Sequence, residues 1–187
     1  MQNLTIIAGS LKNQKIKTVD DPRTKYTPSK VKNAIFSIID SKANIIGANF
    51  LDLCSGSGQI GFEAISRGAK SCTFVDISPL AIKTLKRNVE KLNLSDQVKI
   101  FKKDVIRFIK KTPEKYDMVF IDPPFNEGLF YKIINELLRS TEILTQDGII
   151  LIESKDNYEI RETRIYQIEG RYTYSGVKID VLKRKGK

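Results

Sequence analysis

The chain has 187 residues, 41% of them hydrophobic, which suits one domain with a full buried core. Lys and Arg outnumber Asp and Glu by 32 to 22, a net +10 that favours a polyanionic partner such as nucleic acid. The absence of histidine excludes Ser-His-Asp triads and His-based metal sites, two cysteines (Cys54 and Cys72) without a CxxC exclude a disulfide framework, and no apolar run reaches the ~20 residues of a membrane span.

Met1 to Ile7 lack the basic start of a signal peptide, so a reducing cytoplasmic setting is expected. Leu4–Ala8 and Lys15–Val19 flank a polar loop and predict a hairpin. A helix follows, with Thr27 as cap and Pro28 at its first position. Val31, Ile35, Ile38 and Ile39 form its apolar stripe, and Lys30 and Lys32 fall off the stripe and are expected to face outward. From residue 49 short apolar runs alternate with amphipathic ones. Strands are predicted at 49–54, 71–76, 98–101, 116–121 and 148–153. Helices are predicted at 59–67, behind the Ser78-Pro79 cap, after Asp104, and over 130–138. Two last strands, near 163–168 and 176–182, read as an antiparallel pair closing one sheet edge. The expected fold class is α/β: a Rossmann-like, seven-stranded, mostly parallel sheet with an antiparallel C-terminal edge, plus an N-terminal β-hairpin and helix.

Two motifs carry chemistry. Gly56-Ser57-Gly58-Gln59-Ile60-Gly61 matches G-x-G-x-x-G between a strand and a helix, and Asp76 ends the next strand, where a carboxylate can bind ribose hydroxyls. Both NAD and S-adenosylmethionine fit that pair. Asp52 before the loop suits a ligand bearing an ammonium and a sulfonium, and Asp104 can accept from an adenine amino group or simply cap its helix. The second motif is Asp122-Pro123-Pro124-Phe125, directly after the strand Met118–Ile121. Two prolines stiffen the turn and present a carboxylate and an aromatic face at the sheet edge, a pairing suited to a planar base with an amino group. These features together favour S-adenosylmethionine, with acceptor and methyl donor meeting across one cleft.

The residues resemble class I methyltransferases. Asp52-Leu53-Cys54-Ser55-Gly56-Ser57-Gly58 looks like their first motif, Asp76 their second-strand acid and Asp122–Phe125 their catalytic motif. More narrowly, Ile6-Ile7-Ala8-Gly9, Thr27 to Phe36, Gly61-Glu63-Ala64, Ser66 to Ala69, Gly128-Leu129 and Glu153 follow the order of the RsmD family of bacterial rRNA guanine-N2 methyltransferases. The departures from that family fall in the N-terminal segment: Ala8-Gly9 for Gly-Gly, Asn13-Gln14 for Gly-Arg, Lys25-Tyr26-Thr27 for Arg-Pro-Thr, and Lys32-Asn33 for Arg-Glu.

The resemblance implies transfer of a methyl group from S-adenosylmethionine to the N2 amine of a guanine in small-subunit (16S) rRNA, naked or in an assembling 30S subunit. An adenine-N6 methyltransferase is the alternative. Catalytic residues would be Asp122, Pro123, Pro124 and Phe125. The cofactor set would be Asp52, Cys54, Ser55, Gly56, Ser57, Gly58, Asp76, Ile77, Asp104 and Val105. Residues 1–32 hold seven basic and two acidic side chains. Lys12, Lys15, Lys17, Arg23, Lys25, Lys30 and Lys32 are therefore the expected RNA contacts. Residues 1–26 would form an RNA-contacting extension and 27–187 the methyltransferase domain. A monomer without a metal is expected.

Overall fold

The computed structural model describes residues 3–21, 24, 26–124, 126–174 and 176–186. The hairpin pairs β1 (Asn3–Thr5) with β2 (Lys15–Lys17), Leu4 opposite Ile16, and turns Ile6 and Ile16 into the core. Helix α1 (Ser29–Lys42) buries Val31, Ile35, Ile38 and Ile39 as the period predicts. It begins one residue later than expected. Pro28 takes the cap position, and the Thr27 hydroxyl donates to Glu153 Oε2 at 3.4 Å instead of capping the helix.

The central elements follow the predicted alternation: β3 (Asn49–Leu53), α2 (Gln59–Ser66), β4 (Ser71–Asp76), α3 (Pro79–Leu92), β5 (Val98–Lys102), α4 (Val105–Lys111), β6 (Tyr116–Ile121), α5 (Glu127–Arg139) and β7 (Leu144–Lys155). Local chemistry fixes the helix starts. Ser78 accepts from Ala81 N–H with Pro79 behind it, and Asp104 accepts from Arg107 N–H. Each such cap contributes about 1 kcal/mol. Strands β8 (Tyr166–Tyr174) and β9 (Val177–Arg184) run antiparallel and extend further than the sequence suggests.

The seven-stranded sheet has the order β5-β4-β3-β6-β7-β9-β8, parallel from β5 to β7 and antiparallel at the β9-β8 edge. One face packs against α1, α2 and α3 through Ile35, Phe62 and Leu85, and the other against α4 and α5 through Phe108 and Phe130. Strands covered on both faces must be apolar on both, which is why β6 reads as an unbroken hydrophobic run from Met118 to Ile121. From β3 the chain builds outward to β4 and β5, then returns to place β6 on the opposite side of β3. This reversal makes a crevice at the carboxyl ends of β3 and β6, where open α/β sheets bind ligands.

Candidate active site

The loop after β3 is held open by its own backbone. Cys54, Gly56 and Gly58 all have positive φ, of 60°, 54° and 81°. At Gly58 a Cβ would lie 2.6 Å from Leu85 Cδ2 and 2.7 Å from Phe62 Cε2, so α2 can pack on α3 only with glycine there. The Asp76 carboxylate accepts from Gly56 N–H and Ser78 N–H, both at 2.8 Å, and so joins the loop to the end of β4. Ser55 Oγ donates to the Asp52 carbonyl at 2.6 Å and accepts from Val75 N–H at 2.9 Å. Asp52 is 2% exposed, and its carboxylate accepts from Gly61 N–H at 3.1 Å. Burial pushes the Asp52 carboxyl well up, the Gly61 bond opposes this, and Asp76 and Asp122 add to it. Burial and the surrounding aspartates also raise the Cys54 thiol, which stays protonated and is no nucleophile.

Across the crevice β6 ends at the elbow. Asp122 follows Ile121, which is in register with Leu53 of β3 and Ile152 of β7. The Pro124 carbonyl accepts from Asn126 N–H at 2.7 Å, and the Asn126 side chain caps α5 by accepting from Leu129 N–H at 3.1 Å. Pro123 itself lines the cleft. Burial pushes the Asp122 carboxyl up to about 7.

The loop and the elbow open onto one cleft of about 710 Å³. Asp52, Cys54, Ser55, Gly56, Ser57, Asp76, Ile77, Asp104, Val105, Asp122, Pro123 and Pro124 all line it. Gly58 shapes the turn from behind. Phe125, Arg23 and Lys25 lie outside the described residues. A third wall is not foreseen from the sequence: Val19, Asp21, Thr24, Tyr26 and Thr27, the segment that joins the hairpin to α1. No local pattern marks it, because its place is set by distant anchors. The Glu63 carboxylate accepts from Ile7 N–H and Ala8 N–H, each at 2.9 Å. Asn88 accepts from Lys17 N–H at 2.8 Å and donates to the Lys17 and Ser57 carbonyls, so it ties the hairpin to the glycine loop.

One expectation is corrected. Lys32 does not face outward: it is 3% exposed, its ammonium lies 2.9 Å from Glu63 Oε2, and it donates to the Thr5 carbonyl at 2.8 Å. The buried Glu63 needs a cation, and Lys32 supplies it, so Lys32 is not free to meet a phosphate. Lys12, Lys15, Lys17 and Lys30 are exposed.

The charge of the cleft tests the cofactor. Among the described residues that line it are five aspartates (Asp21, Asp52, Asp76, Asp104 and Asp122) and no Lys or Arg. Such a lining would repel the pyrophosphate of a dinucleotide and suits a ligand with an ammonium and a sulfonium. Carboxylates beside the glycine loop also match ribose hydroxyls and an adenine amino group. S-adenosylmethionine fits on every count. Among the described residues no group of three acidic or cysteine side chains is placed to hold a metal ion.

Comparison with known proteins agrees with this reading. The family model described as "Conserved hypothetical protein 95" matches residues 4–179. The Ribosomal RNA small subunit methyltransferase D of Buchnera aphidicola (subsp. Acyrthosiphon pisum) is 35% identical over 83% of this chain and 80% of its own. YlbH of Bacillus subtilis, assigned provisionally as an rRNA methyltransferase, is 32% identical over 98% of this chain and 100% of its own. The structure of the Escherichia coli protein yhhF superimposes with a TM-score of 0.85 at 24% identity, covering 98% of this chain and 99% of that one. With the glycine loop, the paired acids and the Asp-Pro-Pro elbow gathered on one cleft, the chain belongs to the RsmD family of S-adenosylmethionine-dependent methyltransferases.

Proposed function

We propose that this protein methylates the exocyclic N2 amine of a guanine in small-subunit rRNA, acting as a cytoplasmic monomer on naked RNA or an assembling 30S subunit. The observation that carries the reading is the shared cleft, which Asp122 of the elbow lines together with the glycine loop and the strand acids Asp52 and Asp76. The names of the relatives support rRNA as the substrate class.

The lone pair of an aromatic amine is delocalised into its ring, so the amine is a poor nucleophile until its N–H bonds are engaged. In the proposed mechanism the Asp122 carboxylate and the Pro123 carbonyl accept those N–H bonds, favour pyramidal nitrogen and aim its lone pair into the cleft. Asp76 and Asp104 bind the ribose and adenine ends of the cofactor, and Asp52 offsets its positive charge. S-adenosylmethionine, when bound, supplies an electrophilic methyl group on a good sulfur leaving group. The protein then has to hold the reacting atoms in line at about 3–3.5 Å and take up the amine proton. Asp122 is the base within reach. Phe125 stacks on the extruded base, worth about 1–3 kcal/mol. Residues 1–26 form the RNA-contacting extension, with Lys12, Lys15, Lys17 and Lys30 on phosphates.

Undermethylated ribosomal subunits, naked rRNA and DNA, each incubated with the enzyme and cofactor and then digested for mass spectrometry of nucleosides, test the reading. N2-methylguanosine from the small-subunit RNA is expected. Recovery of N6-methyladenine instead would transfer the mechanism to adenine.

A further inference from the structure

Glu153 is a buried carboxyl that the mechanism above does not use. It is 4% exposed, near the end of β7, and it follows Ile152, which is paired in register with Ile121 of β6. Asp122 and Glu153 therefore leave neighbouring parallel strands side by side, at a backbone spacing of about 4.8 Å. On the other side Glu153 is paired with the fully buried Ile179 of β9, and from outside the sheet the Thr27 hydroxyl donates to it at 3.4 Å. Among the described residues, the charged side chains of the neighbouring strand ends have other partners. Lys155 lies over the Tyr158 ring at 5.9 Å, and Lys178 is bonded to the Tyr158 carbonyl and lies 3.8 Å from Asp180. Asp180 pairs with Ile152 and so projects from the opposite face of the sheet, while Asp52 on β3 feels the charge of Asp122 alone of the two.

Two carboxyls side by side, one of them buried, do not both ionise readily near neutral pH. Burial, and then the charge of Asp122, push Glu153 up to about 8, with the Thr27 bond opposing, while Asp122 stands at about 7. Asp122 is half-buried and lines the cleft, whereas Glu153 is buried and does not line it, so the charge is better solvated on Asp122 and the proton better kept on Glu153. We propose that Glu153 is a positioning residue for methyl transfer: it carries the one proton of the Asp122–Glu153 pair and so keeps Asp122 the ionised member turned towards the amine. The role in transfer rests on the function proposed above. In the step the nitrogen–carbon bond forms, the carbon–sulfur bond breaks with its electron pair left on sulfur, and the amine proton passes to the Asp122 carboxylate. The pair then holds two protons and returns one to water when the product leaves. Thr27 belongs to the third wall, so the buried member of the pair is also fastened to that side of the cleft.

The titration can be followed without RNA, by NMR of 13C-labelled carboxyls in the whole protein, with signals assigned by their loss in Asp122→Asn and Glu153→Gln. Two interacting titrations between about pH 6 and 9 are expected in the wild type. Thr27→Val removes a bond that favours the ionised form, so it moves the Glu153 midpoint further up. Glu153 titrating alone below about pH 5.5 overturns the inference.

Stability gives a second readout. A carboxyl raised in the folded state makes the protein lose stability as pH rises from about 4.5 to about 8, and Glu153→Gln abolishes that part of the slope. An unchanged slope in the variant counts against a shared proton. Turnover on the identified substrate gives the third. Glu153→Gln places an amide donor beside ionised Asp122 and lowers the acid limb of the rate profile, while Glu153→Leu raises it by about half a unit or more. Limbs that stay put, or move in the same direction, remove Glu153 from the transfer step. A shared titration in a protein that methylates no RNA would sink the proposed substrate and leave the pair standing.

Discussion

The two halves of the cleft are built differently. The cofactor half is local: Asp52 and Asp76 accept N–H groups from Gly61, Gly56 and Ser78, all within 20 residues of the acceptor. The acceptor half is assembled from distant pieces. Asp122 comes from β6, Glu153 from β7, and Thr27 bonds across 126 residues. Its third wall hangs on a hairpin fastened to α2 by Glu63 and to α3 by Asn88. Backbone bonds within a loop survive most distant changes, so the cofactor half should tolerate mutations that dismantle the acceptor half.

Lys32→Ala puts the largest strain on this comparison. It removes one cation from the fully buried Glu63, leaving Arg67 and two N–H groups, and it frees the Thr5 carbonyl. Breaking a buried pair costs about 3 kcal/mol or more. Denaturant unfolding should show that loss, against less than about 0.5 kcal/mol for the exposed neighbour Lys30→Ala. If the halves are separable, RNA affinity falls while cofactor affinity measured by calorimetry stays within about threefold. Equal loss of both would mean that α2 transmits the damage to the glycine loop and that the distinction is false.

Asp122→Ala sharpens the same contrast from inside the site. Turnover should fall about 100-fold or more, some 2.7 kcal/mol of transition-state stabilisation, while cofactor affinity is retained. A full rate in this variant would take Asp122 out of the chemistry.

What can be read from the sequence follows the same division. The glycine loop, Asp76, the Ser78 and Asp104 caps and the β3–β7 alternation each depend on residues close together in the chain, and each is where its local chemistry puts it. Lys32 departs from expectation because helical spacing locates an apolar stripe but cannot show that a buried acid on α2 waits beside its flank. Thr27 has the right residue type for a cap. A carboxyl on β7 takes its hydroxyl, and no local rule foresees a partner 126 residues away. The wall made by Val19, Asp21, Thr24, Tyr26 and Thr27 is invisible for the same reason: its sequence specifies little, and its anchors lie in α2 and α3.

The smallest effect separates anchoring lysines from steering ones. Lys12, Lys15 and Lys17 are exposed on the hairpin, where each can neutralise a phosphate without supporting the fold. Removing one such lysine should take up to about 0.7 to 0.9 from the slope of log affinity against log salt, so the triple alanine variant gives up as much as about 2 to 2.7 units with stability unchanged. Lys32→Ala should weaken RNA binding with no change in that slope, because its ammonium never met the solvent. Binding isotherms at several salt concentrations distinguish the two. A slope that falls for Lys32→Ala and holds for the triple variant would put the RNA on some other face, and the hairpin would then serve only as the brace of the third wall.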